Sequence, residues 1–118
     1  MRHSLAIVFL CLLPACVAPV SPAQTVFSLE ASYDAAINVA IVYASLPRCI
    51  KGGPVLCSEP KLVRDTNTIA HQAWTAIRAA ETVARAQKPD PAATAQALAA
   101  AQAALAALRA RTDNMKVS

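Results

Sequence analysis

Prolines divide an alanine-rich chain into three segments, and this division constrains the fold more than any other feature. Pro47 ends the first segment, Pro60 begins the second, and Pro89 and Pro91 separate the second from the third. Twenty-eight of the 118 residues are alanine, which has the highest helix propensity. Valine, isoleucine and aromatic residues are too few to build a sheet. The sequence therefore predicts an all-α fold in one domain, because its length leaves no room for a second.

The spacing of the apolar residues predicts one helix in each segment. The three predicted helices cover about residues 25–46, 59–87 and 91–114. In helix 1 the polar residues form one narrow stripe, which consists of Glu30, Asp34, Asn38 and Ser45. The apolar remainder is broad, as expected for a helix that packs on two sides. We therefore predict an up-down-up three-helix bundle over residues 25–115, with helix 1 at its centre.

Two residues are placed to cap the N-termini of helices 2 and 3. Ser58 can cap the exposed amides of helix 2, and Pro60 is tolerated in its first turn because the missing N–H has no partner there. Asp90 is the predicted N-cap of helix 3, and Pro91 is its first residue. Helices 2 and 3 therefore each have a defined beginning in the sequence.

Cys49 and Cys57 are predicted to form a structural disulfide that closes the loop between helices 1 and 2. Seven residues separate them. A metal site would need two more ligands, and no histidine or further cysteine lies nearby. A redox-active pair is usually Cys-x-x-Cys, which this pair is not. A disulfide also fits a protein that resides in an oxidising compartment.

The first residues have the pattern of an export signal. Arg2 and His3 precede a short apolar run over residues 5–13, and Pro14-Ala15-Cys16 follows. The run is shorter than the roughly 20 residues that a membrane-spanning helix needs. Residues 16–24 contain two prolines and are predicted to form a flexible tether before helix 1.

The end of this segment, Leu13-Pro14-Ala15-Cys16, resembles the lipobox of bacterial lipoproteins. The resemblance implies that residues 1–15 are a signal peptide, that cleavage occurs before Cys16, and that Cys16 then carries a lipid anchor. Val17 looks like the default sorting signal for the outer membrane of Gram-negative bacteria. The predicted location is therefore the periplasmic face of the outer membrane.

Two alternatives to lipidation stay open. Ser21-Pro22-Ala23 could precede an ordinary signal-peptidase cut before Gln24, which would give a secreted or periplasmic protein without an anchor. The segment could also remain as an uncleaved anchor, although residues 5–20 span only sixteen positions and contain two prolines. Lipidation and both of these alternatives place the rest of the chain outside the cytoplasm.

Residues 25–112 also show a likeness to small, alanine-rich, exported proteins of proteobacteria and their prophages. Such proteins combine a helical hairpin with two cysteines around its first turn, as Cys49 and Cys57 are placed here. The likeness is compositional and implies no activity.

No set of reactive side chains converges in the sequence. The chain has two glycines, so it lacks a glycine-rich loop that could hold a phosphate. His71 is expected on the solvent face of helix 2, and a neighbouring threonine alone does not complete a catalytic triad. Glu30 and Asp34 are expected to be solvated on helix 1. We therefore predict that the protein is not an enzyme and has no catalytic residue, no metal site and no cofactor.

Trp74 is the candidate for a contact with a partner. It lies at the edge of the apolar seam of helix 2, where a tryptophan is either a binding hot spot or a flank of the core with a solvated indole N–H. The formal net charge of +4 is modest and scattered along the chain, so no nucleic acid is expected as a partner.

These features together predict a non-enzymatic, lipid-anchored helical bundle of the periplasm. It would act as a structural or protein-interaction module of the envelope and contact the membrane through its anchor. One alternative is a carrier that sequesters a small apolar ligand between its helices. Another is a prophage-borne inhibitor of an envelope enzyme or receptor, which depends on analogy alone.

Overall fold

The computed structural model describes residues 19–116, and this part of the chain folds into three α-helices. They are α1 (Pro22–Ala44), α2 (Pro60–Ala84) and α3 (Pro91–Lys116). All three pack against one another, which confirms the predicted all-α three-helix bundle. The predicted signal peptide, residues 1–15, and the predicted lipidation site, Cys16, lie outside the described residues.

The helix directions follow from contacts along α1. The Tyr33 ring meets Trp74 in the middle of α2, and the Tyr43 hydroxyl accepts a hydrogen bond from the Glu59 N–H just before α2 begins. Residues further along α1 therefore meet earlier residues of α2, so the two helices are antiparallel. Short connections then return α3 alongside α1, which gives the up-down-up arrangement.

Helix α1 begins at Pro22, so the predicted tether is wrong for residues 22–24. Ser21 is the N-cap and forms a capping box: its hydroxyl accepts from the Gln24 N–H at 3.2 Å, and the Gln24 side chain accepts from the Ser21 N–H at 2.9 Å. Pro22 loses no hydrogen bond in the first turn, since the N–H that it lacks would have no partner in the helix. Helix α1 ends at Ala44, two residues before the predicted end.

The two other N-termini differ from each other. Asp90 caps α3 as predicted, because its Oδ1 accepts from the Ala92 N–H at 2.8 Å and from the Ala93 N–H at 3.3 Å. The predicted cap of α2 is wrong, since the N-cap is Glu59 and its side chain makes no capping hydrogen bond. Ser58 is buried and instead donates its hydroxyl to the Leu46 carbonyl at 2.9 Å, which holds the loop closed.

The backbones of α2 and α3 approach each other along more of their length than those of the other two helix pairs. The core residues of these two helices include Ala73, Ile77, Ala80, Ala101, Leu105 and Leu108. Small alanine side chains allow the two backbones to approach closely, and the larger residues fill the space between them. Helix α1 contributes Val26, Leu29 and Ala36 from one side. The prediction that helix 1 is central is therefore wrong, because the alanine seams of α2 and α3 fit each other more closely.

Within the described residues, α3 is the helix that is long and apolar enough to cross a membrane by length and composition. The most apolar 18-residue window within Pro91–Met115 has a mean hydropathy of 1.2, most of which comes from alanine. A core helix of a bundle meets the same requirement, and α3 buries Leu105 and Leu108 in the core.

Candidate functional site

A groove of about 410 Å³ runs between α1 and α2 and forms the candidate functional site. We call it the α1–α2 groove. Its apolar lining includes Tyr33, Ile37, Ile41, Val63, Trp74 and Met115. Its polar lining consists of Thr66, Asn67 and His71. Alanines at positions 40, 44 and 70 leave the space open, since their short side chains cannot fill it.

Trp74 forms one wall of the α1–α2 groove and is supported from two directions. Its ring centroid lies 5.3 Å from that of Tyr33 on α1, at an interplanar angle of 37°. The Arg78 guanidinium lies 5.6 Å from the centre of the indole, within the range of a cation–π interaction. The Trp74 residue nevertheless stays 39 % exposed. The indole is therefore held in place while part of its surface is free to contact another molecule.

Arg78 is held over the indole by an ion pair on the same helix. Its guanidinium contacts the carboxylate of Glu81, which also pairs with Arg85 at 3.1 Å. The spacings of three and four residues place all three side chains on neighbouring positions of the helix surface. This network restricts the side chain that covers one face of Trp74.

Tyr33 lies half-buried at the groove, and its environment changes its acidity. Burial, and then the negative charge of Asp34, raise the pKa of the Tyr33 hydroxyl above its usual value. The hydroxyl therefore stays protonated over a wider pH range. It remains a hydrogen-bond donor beside the indole.

The polar side of the groove contains one buried hydroxyl without a partner. Thr66 is 2 % exposed, and its Oγ1 has no hydrogen-bond partner among the described residues. Asn67 and His71 are exposed on the adjoining turns of α2. Apolar walls with a few polar groups on one side are typical of ligand and partner sites.

His71 is exposed, as expected, but the structure places it beside the α1–α2 groove. Its side chain makes no hydrogen bond or ion pair with any described residue. The neighbouring Thr75 hydroxyl donates to the His71 main-chain carbonyl at 2.9 Å, and the Thr68 hydroxyl donates to that of Arg64. Neither threonine is therefore aligned with the imidazole.

The two acidic residues singled out on α1 remain on its surface. Asp34 is exposed and Glu30 is half-buried. Over residues 19–116, no group of three or more histidine, cysteine, aspartate or glutamate side chains is placed to hold a metal ion.

Cys49 and Cys57 form the predicted disulfide, with a Cα–Cα distance of 4.9 Å. We call residues 48–58 the disulfide loop. Main-chain hydrogen bonds join its two ends: the Cys49 N–H donates to the Ser58 carbonyl at 3.1 Å, and the Ser58 N–H donates to the Pro47 carbonyl at 2.8 Å. The loop is thus closed both covalently and by its backbone.

The sequence did not reveal two features of this site. The α1–α2 groove depends on the angle at which two helices meet, and apolar periodicity gives each helix a face but no such angle. The exposure of apolar residues in the disulfide loop could have been predicted. Ile50, Val55 and Leu56 lie in a segment with prolines and glycines, which forms a connecting loop, and such loops lie on the protein surface.

Comparison of the chain with protein-family models, curated proteins and solved structures gives no significant match.

Proposed function

We propose that this protein is a non-enzymatic interaction module of the bacterial envelope, held to a membrane by a lipid on Cys16. We further propose that a partner protein inserts apolar side chains into the α1–α2 groove. The observation that carries the proposal is the partly exposed indole of Trp74, fixed at an apolar groove beside exposed Ile41.

The surroundings of Trp74 favour a role in binding. Tryptophan is enriched among the residues that dominate the free energy of protein association. Tyr33 and Arg78 already restrict the indole, so little side-chain entropy remains to be lost when a partner binds. The exposed Asn67 and His71 supply the polar rim that such interfaces usually have.

A photo-crosslinking experiment in cells tests the groove. We expect a crosslinker at position 41 to give a discrete adduct with one envelope protein, and Trp74→Ala to remove that adduct. The matched control places the crosslinker at Ala99, which is exposed on α3. Equal adducts at positions 41 and 99, or an adduct that survives Trp74→Ala at full yield, would contradict the groove as the binding surface.

The anchor has a separate test. Mass spectrometry of the mature protein should show an N-terminus at position 16 that carries a lipid. A free N-terminus at Gln24 would instead indicate a protein without an anchor. That result would leave the groove proposal intact, since the groove contains no residue before Tyr33.

A second candidate function is the sequestration of a small apolar ligand. Its support is the volume of the groove, about 410 Å³, which lies within the range of small-molecule sites, together with the unpartnered hydroxyl of Thr66. Native mass spectrometry of the gently purified protein should then show a retained small molecule. Ile37→Trp, which would fill the groove, should abolish the added mass, and a bare protein mass without that substitution would argue against this function.

A further inference from the structure

The disulfide loop exposes three large apolar side chains that do not contribute to the core. Val55 is 94 % exposed, Ile50 is 71 % exposed and Leu56 is 64 % exposed. None of them belongs to the hydrophobic core cluster of the bundle. Single exposed apolar residues are ordinary on a protein surface, whereas three within one seven-residue segment form a patch that favours contact with an apolar phase.

The same loop is positively charged. Residues 48–58 include two basic residues, Arg48 and Lys51, and no acidic residue. Both basic residues are exposed. The Gly53 N–H donates to the Ile50 carbonyl at 2.9 Å, and Gly52 has a φ of +78°, so the chain makes a tight turn with Lys51 at its corner. Exposed apolar and basic side chains therefore occur within the same short segment.

The base of the loop is fixed before any contact is made. The disulfide and the two main-chain hydrogen bonds between its ends hold the loop closed. The Tyr43 hydroxyl joins the end of α1 to the Glu59 N–H at 3.0 Å. A surface that binds this loop therefore needs to order only a short tip, and this lowers the entropic cost of binding.

We propose that the disulfide loop docks on a membrane that contains anionic lipids. Ile50, Val55 and Leu56 enter the boundary between headgroups and acyl chains. Arg48 and Lys51 stay at the level of the headgroups, where each is attracted by negative charge. A second copy of this chain is a poorer occupant, because two such loops would bring like charges together.

This membrane contact is separate from the α1–α2 groove and from Cys16. The groove contains no residue of the loop. The predicted anchor precedes α1, whereas the loop follows it, and a helix of 23 residues is about 35 Å long. Docking of the loop on a membrane is therefore independent of what the groove binds.

Quenching of a single indole by lipid tests the proposal. In the full chain with Trp74→Phe, Leu56→Trp places the indole at the loop, and Ala107→Trp provides a control on the exposed side of α3. The probe is a vesicle of brominated phosphatidylcholine with or without phosphatidylglycerol. We expect strong quenching at position 56 with phosphatidylglycerol, severalfold weaker quenching without it, and little quenching at position 107.

The control position separates docking of the loop from attachment by other means. A lipid on Cys16 would attach the protein to the vesicle without inserting either position 56 or position 107, so only insertion of the loop quenches position 56 more strongly than position 107. Equal quenching at both positions, or no quenching at position 56, would overturn the proposal. The latter result would indicate that the loop binds a protein or nothing.

Two sets of substitutions distinguish the charged part of the loop from its apolar part. Arg48→Gln and Lys51→Gln should each lower the ratio of docked to undocked loop about fivefold. One basic residue near an anionic surface strengthens binding by about this factor. Ile50→Ser combined with Val55→Ser should lower it at least tenfold at unchanged charge. Phe27→Ser, an exposed apolar residue of α1, is the matched control and should leave docking unchanged. Unaltered docking in the loop variants would contradict the proposal, and far-ultraviolet circular dichroism should show that each variant keeps its helices.

Discussion

Large apolar side chains are buried at the α2–α3 interface, whereas several remain exposed on the outer side of α1. Ile77 of α2 and Leu108 of α3 are fully buried, at 0 % exposure, among alanines of both helices. On α1, Phe27, Ile41 and Val42 are exposed. Helix α1 also adds Val26 and Leu29 to the core, so it combines a share of the core with exposed apolar side chains that are available to partners.

The largest expected effect comes from a cavity in the α2–α3 interface. Leu108→Ala should lower the free energy of unfolding by about 2–5 kcal/mol, because it removes buried apolar volume that close-packed neighbours cannot refill. Ile41→Ala should change it by less than about 0.5 kcal/mol, since that side chain is largely exposed. Urea denaturation followed by circular dichroism measures both values. Similar losses in the two variants would mean that the two regions do not differ in stability.

Removal of the disulfide should have the next largest effect. The double substitution Cys49→Ser and Cys57→Ser should cost about 2–3 kcal/mol, because it frees a short loop in the unfolded state. Hydrogen exchange should locate the loss, with the last turn of α1 opening much more than the amides around Ile77. A uniform increase in exchange along the chain would show that α1 and the α2–α3 pair unfold together. The unsubstituted protein after reduction is the matched control.

A smaller loss of stability is expected when the N-cap side chain of α3 is removed than when the disulfide is removed, and a still smaller one for the N-cap of α2. Asp90→Ala should cost about 1 kcal/mol, since the side chain caps two amides of α3. Glu59→Ala at the start of α2 should stay within about 0.5 kcal/mol, because Glu59 makes no capping hydrogen bond. Thermal or urea denaturation of the two variants gives the comparison directly. A larger loss at Glu59 than at Asp90 would contradict the capping observed here.

The smallest expected effect is a loss of stability at alkaline pH that depends on Tyr33, which contacts Trp74. Since burial and Asp34 raise the pKa of Tyr33 in the folded protein, the fold binds the hydroxyl proton more tightly than the unfolded chain does. Its contribution to stability is therefore fully present below the usual pKa of 10.0 and is lost as the pH rises through that value towards the raised one. Tyr33→Phe should remove this alkaline loss.

Ultraviolet titration of tyrosinate absorbance, compared between the parent and Tyr33→Phe, measures the pKa. The difference between the two curves should have its midpoint above 10.0. Asp34→Asn should move that midpoint downward, because it removes the nearby negative charge. A midpoint at or below the usual value would show that α1 does not bury this ring against α2.

The parts of the fold that could be predicted are those fixed by local chemistry. Alanine content and the positions of Pro60 and Pro91 determine where α2 and α3 begin, and Asp90 caps α3 because its partners are only two and three residues away. The disulfide followed from the spacing of Cys49 and Cys57, from the lack of further metal ligands nearby and from the predicted export. The helix starts and the cap need only residues that are close in the sequence.

Most of what the sequence did not predict depends on residues that are distant in the sequence, and one prediction, the tether, failed for a local reason. Ser58 had the right position for a cap, but its hydroxyl is used by the Leu46 carbonyl, twelve residues earlier. Pro22 could either interrupt a helix or begin one, and the capping box of Ser21 and Gln24 decided the outcome. The α1–α2 groove required the positions of two helices relative to each other. The export signal and the lipid on Cys16 stay predictions.

The way in which the disulfide loop is closed has a consequence for protein engineering. Ring closure depends on the two cysteines and on main-chain groups of Pro47, Cys49 and Ser58, so the seven residues inside the ring add little to the stability of the bundle. A foreign peptide of similar length could therefore be grafted between the cysteines. The bundle would display such an epitope as a conformationally restricted ring at the end of a helical stalk.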